Sequence, residues 1–161
     1  MTKRDNALMD AAFRGDIERA KGLLRGGAHL DNPGDDGWTP LMWAAYRGHL
    51  DVIDLLLKGG ANVNFSEAEE GETVLMVALQ QDDQARGAAV VRRLVAAGAQ
   101  VDAIDSLGWT ALTHAATTGK VCVVEALLAA GANPDVGGAS SARALCSDPT
   151  IRGLLDACSG R

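Results

Sequence analysis

The sequence predicts an all-α solenoid of stacked helix–turn–helix units that are joined by short hairpin-like loops. Three observations predict it. A Gly-Ala pair follows an apolar stretch four times along the chain, and a Gly-x-Thr-x-Leu element precedes three of these pairs at a nearly constant distance. Between these markers, apolar residues recur with helical spacing. A helix pair of this size cannot bury its apolar face alone, so the units must stack on one another.

The repeat length follows from the four Gly-Ala pairs. The first and second glycines are 33 residues apart, as are the third and fourth, and the middle interval is 38 residues. The pairs are Gly27-Ala28, Gly60-Ala61, Gly98-Ala99 and Gly131-Ala132, and the upstream elements span 37–41, 71–75 and 108–112.

The second unit shows most clearly why each element forms. Thr39 has the side chain of a helix N-cap, and Pro40 then occupies the first helical position, where its missing N–H is not needed. Gly48 ends this helix, and residues 50–57 form a second, more apolar one. Gly60 follows it, since glycine accepts the left-handed conformation found at helix ends.

Residues 37–49, Gly-Trp-Thr-Pro-Leu-Met-Trp-Ala-Ala-Tyr-Arg-Gly-His, followed by Leu-Leu-Leu-Lys-Gly-Gly-Ala-Asn-Val-Asn at 55–64, resemble a nearly complete ankyrin repeat. The resemblance implies a single domain over 1–161, with repeats at about 5–33, 34–66, 68–104 and 105–137 and a truncated C-terminal cap at 139–158. In the cap, Asp148-Pro149 is expected to start a last helix carrying Ile151, Leu154 and Leu155. Inner helices are expected to start near Asn6, Thr39, Thr73 and Thr110, and outer helices to end near Arg25, Lys58, Ala97 and Ala130.

The chain departs from the family pattern in two ways. Met42, Met76 and Thr113 stand where the family usually has histidine after Thr-Pro-Leu, so packing must contribute more of the stability. In the third repeat the Gly-Ala glycine follows the helix-starting threonine by 25 positions, against 21 in its neighbours. We expect the four extra residues in a loop near 81–87, between the two helices, where insertions in solenoids usually fall.

Composition and charge exclude several functions. The net charge of −6 argues against a nucleic-acid partner, which requires clustered Lys and Arg. No apolar run is long enough to span a membrane, and the N-terminus enters an amphipathic segment without the apolar stretch of a secretory signal. We therefore expect a cytoplasmic protein.

The potentially reactive residues do not form a recognisable catalytic or metal site. The three cysteines form no Cys-x-x-Cys pair; Cys122 lies in an apolar helical run and is predicted to be a core residue, whereas Cys146 and Cys158 are near enough in sequence to approach each other. Reduced structural thiols are favoured. His29, His49 and His114 lack metal-ligand spacing, and His49 is expected to make a structural hydrogen bond in its turn. We expect no enzyme activity, no metal and no cofactor.

The family resemblance implies a partner-binding groove. The two positions before the glycine that ends each inner helix commonly point into it, and the residue before the helix-starting threonine lies at the base of a hairpin-like finger. Trp, Tyr and Arg are enriched at interface hot spots. The tryptophans can alternatively pack on the neighbouring hairpin and stiffen the stack. The predicted partner-binding residues are Phe13, Arg14, Asp35, Asp36, Trp38, Trp43, Tyr46, Arg47, Glu70, Glu72, Gln80, Gln81, Leu107, Trp109, Thr117 and Thr118.

The loop tips are acidic, which favours a partner with a basic surface, although charged tips can also serve solubility alone. The predicted function is non-catalytic binding of another protein by a monomer, so that the partner is masked, inhibited or scaffolded. Three alternatives remain open: an immunity or regulatory inhibitor of one enzyme, a stress-linked accessory protein that uses its cysteines in redox chemistry, and self-association through the aromatic residues.

Overall fold

The fold is the predicted all-α solenoid. A computed structural model describes residues 2–158, and within that range the chain forms ten α-helices and two short 3₁₀ turns but no β-strand. Isolated bridges pair Ser66 with Thr73 and Ile104 with Thr110 inside the hairpin-like connections. None of the helices in this range is both long and apolar enough to cross a membrane.

Each repeat contributes one inner and one outer helix. Inner helices pack on the next inner helix along the stack, and the last of them packs on the cap. The inner helices are α1 (Lys3–Arg14), α3 (Pro40–Arg47), α5 (Val74–Val77, continued by a 3₁₀ turn at Ala78–Gln80) and α7 (Ala111–Thr117); the outer helices are α2 (Ile17–Arg25), α4 (Leu50–Lys58), α6 (Gln84–Ala96) and α8 (Val121–Ala129); the cap contains a 3₁₀ turn (Gly138–Ser140), α9 (Ala142–Leu145) and α10 (Pro149–Ala157).

The predicted threonine caps are present. The side chains of Thr39, Thr73 and Thr110 each accept a hydrogen bond from the backbone N–H three residues later, at 3.2–3.3 Å. The outer helices end within one residue of the predicted positions. The first inner helix begins at Lys3 rather than near Asn6, because Thr2 caps it three residues earlier.

The four extra residues of the third repeat do not form the predicted loop. The outer helix α6 has 13 residues, whereas α4 and α8 have nine each, so the insertion lengthens this helix at its N-terminal end. Asp83 caps the new start by accepting hydrogen bonds from the N–H groups of Ala85 and Arg86. Arg93 joins α6 to Asp54 of α4 by an ion pair of 2.8 Å. A segment of Gln, Ala and Arg after a good N-cap favours helix over loop, which explains the difference.

The core runs through the stack without interruption. Alanines such as Ala11, Ala44 and Ala115 are fully buried in the inner helices, and their small size lets adjacent inner helices approach closely. Larger side chains, among them Ile53 and Leu56 of α4, fill the space between inner and outer helices. The surface left by each repeat is covered by the next, as a solenoid requires.

A side chain from each turn between inner and outer helix bonds the end of the preceding inner helix. His49 contacts the carbonyl of Phe13 through Nε2 at 3.0 Å, which confirms its predicted structural role. In the third repeat, Gln81 donates to the Ala45 carbonyl at 2.8 Å. In the fourth, Lys120 donates to the carbonyls of Leu79 and Gln81. These contacts give the carbonyls at the ends of the inner helices a donor from the next repeat, and the Ala45 carbonyl also accepts a hydrogen bond from the N–H of Gly48.

A second series of hydrogen bonds follows the connections between repeats. In each connection, a side-chain oxygen accepts a hydrogen bond from a backbone N–H of the following connection. The Asp31, Asn64 and Asp102 side chains accept, in that order, from the N–H groups of Asn62, Gln100 and Asn133, at 2.8–2.9 Å. Each acceptor lies three positions after a Gly-Ala alanine, and each donor directly follows the next Gly-Ala pair. The regular repeat spacing places these atoms opposite each other, so the bonds help to hold the stack in register.

The predicted last helix forms at Pro149–Ala157. Asp148 caps α10, whose Ile151 and Leu155 are fully buried and whose Leu154 is partly buried. Arg143 pairs with Asp135 of the fourth repeat at 2.7 Å and with Asp156 of α10 at 2.6 Å. The hydrogen bond that Arg143 donates to Asp135 is the main reason why the pKa of Arg143 is raised.

The N-terminal repeat is held by a buried carboxylate that the sequence analysis did not single out. Asp5 has no exposed surface. Its oxygens accept hydrogen bonds from the backbone N–H groups of His29 and Thr2, at 3.0 Å each, and from the Asn32 amide at 2.8 Å. The backbone bond from His29, followed by that from Thr2, holds the pKa of Asp5 far below its ordinary value. The motif Thr2-x-x-Asp5, a capping box, was the available signal.

This carboxylate predicts a pH dependence. Because the pKa of Asp5 is lower in the folded than in the unfolded chain, its stabilisation is complete above the ordinary aspartate pKa of about 4 and is lost as the pH falls below it. We expect Asp5→Asn to be clearly less stable than the parent at pH 7, and the difference to shrink in acid. Urea unfolding at several pH values measures it. Asp82→Asn, in an exposed turn, is the control; a difference between parent and Asp5→Asn that does not change with pH would contradict the assignment.

Candidate functional site

The face made by the inner helices and the fingers carries the predicted partner-binding residues. We call it the groove face. The fingers are finger 1 (34–38), finger 2 (66–73) and finger 3 (104–110). Finger 1 closes through hydrogen bonds from Gly34 N–H to the Trp38 carbonyl at 2.8 Å and from Gly37 N–H to the Gly34 carbonyl at 3.0 Å. This short turn places Trp38 immediately before Thr39, the N-cap residue of α3.

Four aromatic side chains meet on the groove face and form what we call the aromatic cluster: Phe13, Trp38, Trp43 and Tyr46. The ring centroids of Trp38 and Trp43 are 4.7 Å apart, and Tyr46 lies 5.6 Å from Trp38 and 5.9 Å from Trp43. Phe13 contacts Trp43 edge to face at 5.3 Å. All four centroid separations lie in the range that aromatic pairs prefer, and every pair except Trp38–Trp43 meets edge to face.

The cluster packs and is exposed at the same time. Phe13 is 38% exposed, and the other three rings are partly buried. Trp38 packs on Trp43 and Tyr46 of its own repeat and is still partly exposed. The guanidinium of Arg47 lies 4.9 Å from the centre of the Phe13 ring, and its side chain is exposed. Arg14 instead pairs with Asp10 at 2.6 Å.

Trp109 forms a separate group in the fourth repeat. Its ring lies 5.0 Å from that of His114, whose Nε2 contacts a carboxylate oxygen of Asp105 at 2.7 Å. The other carboxylate oxygen of Asp105 accepts hydrogen bonds from the backbone N–H groups of Leu107 and Trp109. The aromatic residues therefore form one cluster and one separate pair rather than a single continuous stripe. Leu107 projects from the tip of finger 3 and is 66% exposed.

The two glutamines lie in different environments. Gln80 is exposed and donates to the carboxylate of Glu72 at 2.6 Å. Gln81, predicted to face the groove, is only 8% exposed, and its amide bonds backbone carbonyls inside the stack. The reason is that α5 gives way to a 3₁₀ turn, which moves Gln81 into the turn position that His49 holds in the second repeat. Gln81 therefore borders the depression between repeats two and three but offers little surface to a partner.

The threonine pair of the fourth repeat is exposed but bonds its own helix. The Thr117 hydroxyl donates to the carbonyl of Thr113 at 2.9 Å, and the Thr118 hydroxyl donates to that of His114 at 2.6 Å. Their hydroxyl protons are therefore already used within α7, and mainly methyl groups and acceptor oxygens remain for another molecule.

Acidic residues on finger 2 differ in role. Burial by itself would raise the pKa of Glu67. Its carboxylate, however, accepts hydrogen bonds from the backbone N–H groups of Glu69, Glu70 and Glu72, and together these bonds lower the pKa of Glu67. Glu67 therefore shapes the finger. Burial raises the pKa of Glu72, and the neighbouring Glu70 adds to this effect.

Three depressions interrupt the groove face, with volumes of about 480, 250 and 170 Å³. The first lies between α1 and finger 1 beside the aromatic cluster, the second lies between the turn regions of repeats two and three, and the third lies between fingers 2 and 3. The second includes Tyr46, Arg47 and Gln80, and the third includes Glu70, Glu72 and Leu107. Most predicted residues thus border a depression.

The cysteines and other potential ligands are dispersed. All three thiols are free. Cys146 is buried, but Cys122 is exposed, contrary to prediction, because α8 turns its Val123 and Val124 inward and leaves the preceding side chain outside. Within residues 2–158, no three His, Cys, Asp or Glu side chains are grouped closely enough to hold a metal ion.

Sequence reasoning also missed Lys120. It follows Gly119 as His49 follows Gly48, so its place in the repeat was the signal that could have identified it as a donor to the preceding repeat.

The chain belongs to the ankyrin-repeat family. The family model described as "Ankyrin repeats (3 copies)" matches residues 8–86 and 66–138. This agrees with the helix pairs, caps and fingers of the structure. Ankyrin repeats indicate a protein–protein interaction module.

Curated relatives share the repeats but are much longer. The ankyrin repeat and KH domain-containing protein mask-1 of Caenorhabditis elegans is 35% identical over 136 residues, which are 84% of this chain and 5% of that protein. The mitochondrial disaggregases of Bos taurus and Homo sapiens are each 47% identical over 60 residues, which are 37% of this chain and 9% and 8% of those proteins. The chain therefore spans less than a tenth of the length of these relatives.

Proposed function

We propose that this protein is a non-catalytic module that binds a protein partner through its groove face. The observation that carries the proposal is the aromatic cluster with Arg47 beside it: large, partly exposed rings and a guanidinium lie together on one face of a rigid array. Such residues dominate the binding energy of protein interfaces, and a surface that is ordered before binding loses little conformational entropy on association.

Charge supports a partner with a basic surface. The chain has a net charge of −6, and fingers 1 and 2 present exposed carboxylates at Asp35, Asp36, Glu69 and Glu70. A negative rim around an aromatic surface accelerates association with a positively charged protein and disfavours nucleic acid. We propose that the protein is a cytoplasmic monomer that acts by occupancy, so that it masks, inhibits or scaffolds its partner.

The double substitution Tyr46→Ala and Arg47→Ala tests the groove face. We expect it to weaken partner binding roughly tenfold or more, because it removes an aromatic and a guanidinium from the centre of the proposed interface. Helicity should remain nearly unchanged, since Arg47 is exposed and Tyr46 is partly exposed. The measurement is affinity capture from an extract of the source cells with quantitative mass spectrometry, together with circular dichroism.

Lys58→Ala with Arg92→Ala is the matched control, because both side chains are exposed on outer helices. A protein captured by the parent and the control but lost from the Tyr46/Arg47 variant would name the partner and locate the interface. Equal capture by all three forms, or unfolding of the groove variant, would show that the interface assignment is wrong.

A further inference from the structure

The depression between α1 and finger 1 combines aromatic and acidic groups in a way that points to a particular ligand chemistry. We call it the first cleft; its volume is about 480 Å³. Its apolar wall consists of Met9, Phe13 and Trp43. The remaining lining residues are Asn6, Asp10, Gly34, Asp35 and Asp36.

The three carboxylates of the first cleft are not equivalent. Asp10 is already neutralised: it pairs with Arg14 at 2.6 Å and with Arg19 at 2.8 Å, and the hydrogen bond from Arg14 is the main reason why its pKa is lowered. Asp36 accepts the N–H of Trp38 at 3.0 Å. Within residues 2–158, no Lys, Arg or His side chain lies within ion-pair distance of Asp35 or Asp36. Two uncompensated carboxylates therefore lie beside the aromatic wall.

The aromatic wall is of a kind that attracts cations. The Phe13 ring already has the guanidinium of Arg47 at 4.9 Å from its centre, outside the first cleft. Trp43 contacts the same ring edge to face and offers an indole, the side chain with the most favourable cation–π interaction. The same wall presents apolar surface to the hydrocarbon part of a long basic side chain.

Gly34 keeps the first cleft open. A Cβ atom at this position would lie 2.6 Å from a carboxylate oxygen of Asp36 and 3.0 Å from the sulfur of Met9. Any side chain here would displace the carboxylate and press against the apolar wall.

We propose that the first cleft holds an arginine side chain of the protein partner. A planar guanidinium can lie against the indole of Trp43 while its N–H groups bond Asp35 and Asp36, which an ammonium group does less well. The inference rests on the proposed function, because it assigns one contact within the groove face that binds the partner.

Nuclear magnetic resonance titration tests the inference without knowledge of the partner. The probes are two peptides, acetyl-Leu-Arg-Leu-amide and the same peptide with citrulline, the neutral isostere of arginine. We expect the arginine peptide to shift the Trp43 indole and Phe13 ring signals, and the citrulline peptide to bind roughly three- to tenfold more weakly. Added salt should reduce this difference.

Asp35→Asn with Asp36→Asn is the decisive variant. Asparagine keeps the acceptor that Trp38 N–H uses, so the finger should persist while the charge is removed. We expect this variant to bind both peptides equally. Asp51→Asn with Glu125→Gln makes the same change in charge at exposed positions of outer helices and should leave the preference for arginine intact.

Equal shifts with both peptides, shifts outside the first cleft, no shift at all, or an unchanged preference in the Asp35/Asp36 variant would each overturn the inference. Failure here is distinct from failure of the proposed function. If the captured partner is lost from the Tyr46/Arg47 variant but retained undiminished by the Asp35/Asp36 variant, the groove face remains the interface and the first cleft is not its arginine site.

Discussion

Leu56→Ala is expected to lower the free energy of unfolding by about 2–5 kcal/mol. Leu56 lies on α4 with no exposed surface, in the core that joins the second repeat to its neighbours. Truncation to alanine removes its buried methyl groups and leaves a cavity, because the close-packed alanines of the inner helices have little freedom to fill it. In an array whose repeats contact only their neighbours, the loss also weakens the adjoining interfaces.

Urea unfolding followed by circular dichroism measures the Leu56→Ala effect as a shift of the midpoint with little change of slope. Leu107→Ala is the matched control, because it removes the same atoms from a side chain that is 66% exposed; it should change the free energy of unfolding by less than about 0.5 kcal/mol. Comparable effects of the two substitutions would mean that α4 is not packed as described.

Lys120→Met is expected to lower the free energy of unfolding by about 1.5–3 kcal/mol, the range for hydrogen bonds to charged groups. The ammonium of Lys120 is the donor to the carbonyls of Leu79 and Gln81, where the third inner helix ends irregularly. Methionine has similar length and apolar character but no donor, so the substitution leaves those partly buried carbonyls without this partner.

Lys58→Met is the control for Lys120→Met. It removes the same charge from an exposed side chain at the end of α4 and is expected to have little effect. Thermal or urea unfolding measures the change in stability that each of the two variants causes. If Lys58→Met destabilises the protein as much as Lys120→Met does, the effect comes from net charge rather than from the bonds between repeats.

The third repeat is where the array is least regular and where the turn side chains matter most. It lacks the Gly-His turn of the second repeat, its inner helix ends in a 3₁₀ turn, and its outer helix is four residues longer than its neighbours. Gln81 replaces the missing turn contact of the third repeat, and Lys120 of the fourth repeat bonds the irregular end of the third inner helix. The irregularity therefore changes which side chains bond the helix ends and leaves the stacking of inner helices intact.

Local signals in the sequence determined the architecture. Threonine before the second, third and fourth inner helices, and glycine after the first, second and fourth, act through their own backbone and the next few residues, so the starts of those three helices and the repeat register follow from sequence alone. Gly15 and Gly48, for example, end α1 and α3 with φ of 75° and 69°, a conformation that few other residues adopt readily. Family membership follows from the same regular markers.

Tertiary structure alone decided the details that depend on helix phase and on pairs of residues far apart in sequence. The contacts of Phe13 with Trp43 and of Lys120 with Leu79 join neighbouring repeats, and no local pattern measures such distances. The burial of Gln81 depends on the 3₁₀ turn that ends the third inner helix. The exposure of Cys122 depends on the direction in which α8 turns its side chains, which changes by about 100° with each residue. Sequence therefore determined most of the residues that form the groove face. Only the packing between repeats decided which of these side chains contact each other.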